Sequence, residues 1–481
     1  MRSALIFSII AFSLASCSFH ANNWHGTDVP GNTQASFDYF NDKSKHTIQL
    51  TKGQVLFTNY KITGNSGKLK LEVKQGSNLL WQKQFAAASD TAAFFVVAPK
   101  TGEYTVVVSG DHAAGSFAVH YNAAEPRQPE VKINRNIELF GLMLQLDNGG
   151  DILPRKDTVL IDGRQATWQQ WYAMMMRNYP KYKQFDTCQV MNIYRKMQAD
   201  GYFNDFFANL LLQVDEVPKA RINATTDSDV IMAFSAKGDS TAALQKVNAF
   251  LEAFNAFYKT VDFDAYLAAN KQYYDLAQSS VIKSLPESYL LPVMEHYYRK
   301  QFNNYCFVPS LNMLTSTGYG KMNKNTRTIY DAFGSFSFIS FDNAHPDMGF
   351  SYPEKIKVLA VHEFGHSFAN PSVDNLPSSL IAATKYLYEP IRKQMTERAY
   401  PSWTICLYEH FVKAGEAIIA EKIGDSTRAQ IFIQDAIKSG FIYVPFIVNE
   451  LKQWDKNNGT DASFDEAVLN TVKKLAIAYK K

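Results

Sequence analysis

Between residues 46 and 122 apolar and polar positions alternate in short runs. Thr47-Ile48-Gln49-Leu50, Val55-Leu56-Phe57, Lys68-Leu69-Lys70-Leu71-Glu72-Val73, Phe94-Phe95-Val96-Val97, Tyr104-Thr105-Val106-Val107-Val108 and Ser116-Phe117-Ala118-Val119 all read as strands. Gly-, Asn- and Ser-containing turns separate them at roughly ten-residue intervals, a spacing that predicts an all-β sandwich. Residues 18–45 are polar and rich in Asn, Asp, Ser and Thr, and read as a tether leading into it. The Pro-containing segment Ala123-Ala124-Glu125-Pro126-Arg127-Gln128-Pro129 marks a domain boundary.

Beyond that linker the period lengthens. Trp168 to Met176, Ala242 to Tyr258 and Ser288 to Gln301 carry apolar residues three and four apart over spans too long for strands, which predicts helices. Phe307-Val308-Pro309-Ser310-Leu311 and Phe336-Ser337-Phe338-Ile339-Ser340-Phe341 interrupt them as strand-like runs. Between the two lies a Gly-, Lys- and Asn-rich loop, Thr317 to Arg327. Helices resume near residue 352 and continue to the C-terminus. The expected architecture is multidomain: an all-β sandwich with its tether over 18–125, then an α+β, mostly helical domain over 126–481.

The N-terminus sets the expected compartment. Arg2 precedes an apolar run, Ala4 to Leu14, too short to span a bilayer. It ends in Leu14-Ala15-Ser16-Cys17, similar to a bacterial lipobox. Residues 1–17 therefore predict an exported lipoprotein held on a membrane by an acyl group on Cys17. The other cysteines, Cys188, Cys306 and Cys406, form no CxxC pair, which disfavours a thiolate metal cluster. The formal net charge of +3 over 481 residues, with no basic stripe, gives nucleic-acid binding no electrostatic support.

The chemistry concentrates in His362-Glu363-Phe364-Gly365-His366. Ser351-Tyr352-Pro353-Glu354 reads as a capping box, and no breaker follows until Asn370-Pro371, so the motif should lie inside a helix. Residues i and i+4 share a helix face, so two imidazoles can converge on one ion. Glu363 is rotated by about 100° from His362 and can address a water instead of the ion. A catalytic zinc site of this kind needs a third protein ligand, with water in the fourth position.

Counting narrows the choice of that ligand. Ala369 and Ser372 occupy the positions where a Gly and a third His would stand, and Lys385 and Tyr386 occupy two common downstream Glu positions. Asp374 and Glu389 are nearby carboxylates, the first expected in a loop and the second at a helix end before Pro390. Glu409 is favoured. Trp403 to Lys422 reads as a helix, and Glu409 shares its apolar side with Ile405, Val412 and Ile419, where a carboxylate is costly unless paired or ligating. A pair with Lys413 at i+4 is the competing explanation, and Glu416 on the same stripe is a fallback. His345, Tyr400, Tyr408 and His410 are candidate oxyanion donors.

Asn136-Ile137-Glu138-Leu139-Phe140-Gly141, the HExxH motif, and Trp403 followed by Glu409-His410-Phe411-Val412-Lys413-Ala414 together give the chain a resemblance. Over roughly residues 131–480 it resembles DUF4932, a family of exported bacterial proteins with a zincin-type HExxH. Lys413 departs from the Arg expected there. The resemblance implies a zincin-like domain. The expected function is a zinc-dependent metallopeptidase: His362, His366 and Glu409 hold Zn2+, Glu363 is the general base, and a protein or peptide is the substrate. A non-catalytic surface lipoprotein binding glycan or peptide, and a zinc hydrolase of non-peptide amides, are the alternatives.

Overall fold

A computed structural model describes residues 20–161, 164–235, 238–315, 317–398, 400–458 and 462–480. The expected leader over residues 1–17, with Cys17, lies outside the described residues. Among the described residues no helix is long and apolar enough to cross a membrane. The chain divides into two units, Met1–Glu125 and Pro126–Lys481.

The first unit is an antiparallel β-sandwich organised by two long strands, Val55–Gln75 and Gly102–Ala124, which pair from Val55↔Ala124 to Lys74↔Thr105. Register shifts near Gly64 to Lys68 let both strands pass from one leaf to the other. In one leaf Val55–Thr63 pairs with Ser89–Val97, while Asn32–Phe37 runs along Gly115–His120. In the other, Lys68–Gln75 pairs with Asn78–Ala86, while Lys43–Leu50 runs along Gly102–Ser109. Leu56, Ile62, Leu71, Val73, Val106 and Val119 fill the core between them.

The expected tether is not one. His25–Val29, Asn32–Phe40 and Lys43–Leu50 are strands of this sandwich. Thr33, Ala35 and Phe37 are buried while Gln34, Ser36 and Asp38 are exposed. The Trp24 ring stacks on Phe37 at 5.5 Å. Polar outward residues, with Thr33 and Ala35 among the inward ones, keep the average hydrophobicity low, although the two-residue period of a half-buried strand is present.

The second unit carries a four-stranded sheet in the order Gly318–Asn323, Thr328–Phe333, Asn304–Pro309, Glu130–Val131. The first pair is antiparallel and the others are parallel. Two expectations fail here. The Gly/Lys/Asn-rich segment expected as a loop supplies the edge strand Gly318–Asn323. The aromatic run 336–341 is no strand; it meets the following segment through an isolated bridge, Ser340↔Asp347, and a bond from Phe336 N to Gly349 O at 2.9 Å. Its rings anchor to separate elements, Phe336 on Phe333, Phe338 on Trp171 and Phe341 on Tyr273, so alternation there does not mark one sheet face.

Helices surround the sheet. Arg135–Ile152 begins at Asn134, whose side chain accepts from Ile137 N. It tethers the segment leading to the edge strand: Glu138 accepts from Leu311 N (3.0 Å), Asn312 N (3.2 Å) and Tyr274 OH (2.9 Å). Gly141 is obligatory, because a Cβ would lie 2.5 Å from the Asn312 carbonyl carbon. The HExxH helix spans Pro353–Asp374. Its N-cap is Tyr352, with no side-chain cap, and Glu354 bonds Arg428 (2.9 Å), so the expected capping box is absent. Pro371 lies inside the last turn and does not stop the helix; Lys300 Nζ reaches the nearby Phe368 carbonyl at 3.2 Å. Trp403–Lys422 forms a helix packed against it.

Candidate functional site

The sheet and these two helices bring the motif residues together. His362 and His366 project from one face of Pro353–Asp374, and Glu409 comes from the facing helix. His366 Nε2 lies 3.4 Å from Glu409 Oε1, and His362 Nε2 lies 3.9 Å from Glu409 Oε2. The three side chains offer ligand atoms within 4.8 Å of one another. Donors on one tetrahedral zinc would stand about 3.3 Å apart, so the spacing suits a divalent cation after small side-chain movements.

The other ring nitrogens are engaged. His362 Nδ1 donates to Glu416 Oε1 at 2.8 Å, and His366 Nδ1 donates to Asn370 Oδ1 at 3.3 Å. Both Nε2 atoms thereby face Glu409. Glu416, expected as a fallback ligand, is instead the partner of a histidine; the two-turn offset from Glu409 was its sequence signal. Asn370 had a similar signal, one turn after His366. Glu409 is buried, and its Oε2 has no hydrogen-bond partner. Burial alone would raise this carboxyl, but His366 and His362 outweigh it and hold it at about 2. Lys413 lies with its ammonium 5.0 Å from the Phe441 ring centre. Burial opposes a charge on His362, yet Glu416, Glu363 and Glu409 push it up to about 9.

Glu363 faces the edge strand. Gly320 N donates to its Oε2 at 2.9 Å. A Cβ on Gly320 would sit 2.7 Å from that oxygen and 2.7 Å from the Glu363 carbonyl, so this strand can approach the helix only with glycine here. Oε1 is turned toward Gly318, where a Cβ would stand 3.5 Å away. A cleft of about 480 Å3 opens beside these groups, between Val358, Leu359 and His362 of the helix and Thr317, Gly318 and Phe336 opposite.

The remaining candidates separate clearly. Asp374 ends the HExxH helix, not a loop, and accepts a hydrogen bond from Tyr408. Glu389 pairs with Arg392. Neither belongs to the cluster. His410 is buried against Trp403 and Tyr443, and its Nδ1 donates to Cys406 O at 2.6 Å. His345 is exposed in the 342–347 segment. Tyr400 alone among the four expected oxyanion donors feels both site carboxylates: burial, then Glu409 and Glu363, raise its phenol. Cys188, Cys306 and Cys406 are free thiols.

The family model described as a domain of unknown function (DUF4932) matches residues 130–473. No curated protein matches the chain significantly. Solved structures match only a small part of it. "CBM4 structure and function" is 12% identical, covering 22% of this chain and 79% of its own at a TM-score of 0.17. "TmCBM61 in complex with beta-1,4-galactotriose" is 14% identical, covering 21% and 88% at 0.16. A carbohydrate binding module (CBM6cm-2) from Cellvibrio mixtus lichenase 5A in complex with cellotriose is 12% identical, covering 22% and 91% at 0.17. Likeness at this level carries no argument about a ligand.

Proposed function

The chain belongs to the DUF4932 family, and we propose that it is a zinc-dependent peptidase whose metal would be held by His362, His366 and Glu409. One observation carries the reading: two imidazole Nε2 atoms and a buried carboxylate with an unpartnered oxygen converge beside a glutamate that ligates nothing. His362 Nε2 stands 3.9 Å from that oxygen, beyond hydrogen-bond reach, and buried polar atoms are seldom left without a hydrogen bond. When bound, zinc would supply Lewis acidity that polarises a scissile carbonyl and acidifies a water.

The chain's own residues supply the rest. Gly320 N–H fixes Glu363 Oε2, which leaves Oε1 to take the proton of the attacking water and deliver it to the departing amine. Gly334 N donates to Thr317 O (2.9 Å), so alternation along the edge strand turns the backbone groups of Gly318, Gly320 and Met322 outward. Gln213 Nε2 occupies Met322 O at 3.3 Å, and Lys321 pairs with Asp205. Gly320 N–H is committed to Glu363, so an extended peptide would add beside the cleft against the N–H and C=O of Gly318 and the C=O of Gly320. Residues 1–17 support export and an acyl anchor, which fatty-acid labelling of wild type against Cys17→Ala would test.

Purified full-length protein should carry one zinc per chain and cleave casein. His362→Ala and His366→Ala should lose the metal. Glu363→Gln should keep metal and fold while losing hydrolysis by about 10²-fold or more, because an amide cannot accept the proton. Full zinc retention in either histidine variant overturns the site, and near-wild-type cleavage by Glu363→Gln overturns the base.

A further inference from the structure

Beside Glu363 lies a second carboxyl that the steps above leave unused. Asp331, in the strand Thr328–Phe333, is 0% exposed, and neither of its carboxylate oxygens has a hydrogen-bond partner. The register places it opposite Gly320 on one side and Phe307 on the other. Register neighbours share a sheet face. The Phe307 ring stacks on Phe364 of the HExxH helix at 5.1 Å, so Asp331 points at that helix as well. Cross-strand Cβ atoms stand about 4.5–5.5 Å apart, and a Cβ on Gly320 would fall 2.7 Å from Glu363 Oε2. The two carboxyl groups therefore converge over the side chain that Gly320 lacks.

An ionised carboxylate without a single donor is prohibitively costly in such a place, so Asp331 takes up a proton. The groups that face it agree. The edge strand offers Gly320, the parallel strand Phe307, and the helix Glu363 and Phe364. Burial and the Glu363 charge together raise the Asp331 carboxyl well above the ordinary carboxylate range. A neutral carboxyl is a donor in need of an acceptor, and Glu363 is the charged acceptor in its pocket. A valine there would fill the space with no such cost, so packing alone does not account for an acid at this position.

We propose that Asp331 is the positioning residue of Glu363, a buried carboxyl that keeps its proton at neutral pH and, by turning its O–H toward Glu363, holds the base with Oε1 facing the cleft. The catalytic consequence rests on the peptidase reading; the retained proton does not. Asp331 undergoes no net proton transfer: Glu363 receives the water proton and passes it on, while Asp331 keeps its own.

The test uses the full chain, with and without zinc. The infrared difference spectrum of wild type against Asp331→Asn at pH 8 should show the carbonyl stretch of a protonated carboxyl, and its absence overturns the proposal. Asp331→Asn, whose amide still donates, should hydrolyse casein within about threefold of wild type. Asp331→Val should lose kcat by about 10²-fold, the scale of a misplaced catalytic group, with KM and zinc content unchanged. Wild-type kcat in a folded Asp331→Val overturns the positioning role. If Asp331→Val does not fold, loss of kcat in Asp331→Asn overturns the role. If wild-type protein cleaves nothing, the peptidase reading fails, while the infrared band still decides the state of Asp331.

Discussion

Replacing Gly320 with alanine is the sharpest perturbation the site allows. The added Cβ would stand 2.7 Å from the Glu363 carbonyl oxygen, 2.7 Å from Oε2 and 3.0 Å from the Glu363 Cβ. The carbonyl belongs to a helix interior and cannot yield, so the edge strand must retreat by roughly 0.5–1 Å to restore normal contact distances. That retreat lengthens the 2.9 Å bond from Gly320 N–H to Glu363, a bond to a charged group worth about 1.5–3 kcal/mol. Relief of glycine's backbone entropy returns only about 0.5–1 kcal/mol. A net loss of about 1–2 kcal/mol is expected, measurable by urea denaturation. Casein hydrolysis should fall by about 10²-fold as Glu363 loses its anchor. Zinc content should not change, because His362, His366 and Glu409 are carried by two helices packed on each other and it is the strand that retreats. Gly318→Ala is the control for stability. Its Cβ would meet Glu363 Oε1 at 3.5 Å and Leu359 Cδ1 at 3.6 Å, ordinary contacts, so stability should stay within about 0.5 kcal/mol. If Gly320→Ala unfolds at the same urea concentration as Gly318→Ala, the close approach is not what positions Glu363.

Glu409→Ala should weaken zinc binding, measured by chelator competition, far more than Asp374→Ala or Glu389→Ala, whose carboxylates are engaged with Tyr408 and Arg392; equal affinities across the three would refute the donor set. Glu138 should make stability fall as pH rises. Burial pushes its carboxyl up to about 7 from 4.5 despite its hydrogen bonds, so the folded state holds a proton that the unfolded state has already released. Stability should therefore drop by on the order of 3 kcal/mol between about pH 4.5 and 7 relative to Glu138→Gln, which has no proton there to lose. Parallel pH–stability curves for the two proteins would refute this.

Much of the local structure was legible because it depends on local periodicity. The i, i+4 spacing of His362 and His366 defines a shared helix face whatever the fold, and the apolar stripe through Ile405, Val412 and Ile419 sufficed to bound the helix Trp403–Lys422. The strand runs between residues 47 and 119 likewise announced a sandwich by their alternation. The motif at Asn136 to Gly141 was visible as a pattern but not as a mechanism. Its purpose lies in contacts with Leu311 and Asn312, more than 170 positions away.

What the tertiary structure decided is every relation between elements distant in sequence. Local pattern favours Glu409 over Asp374 and Glu389 but leaves Lys413 as a competing partner; what sets Glu409 beside the histidines is the packing of two helices. Gly318–Asn323 is a poor strand by propensity, rich in Gly, Lys and Asn. It is a strand because Thr328–Phe333 pairs with it and because only a side-chain-free backbone can lie against Glu363. Asp331 reads as a polar interruption between Ile329 and Phe333 until the register sets it across from Gly320. Backbone periodicity is a property of neighbouring residues, whereas register, helix packing and the partners of buried carboxyls arise only when distant segments exclude water together.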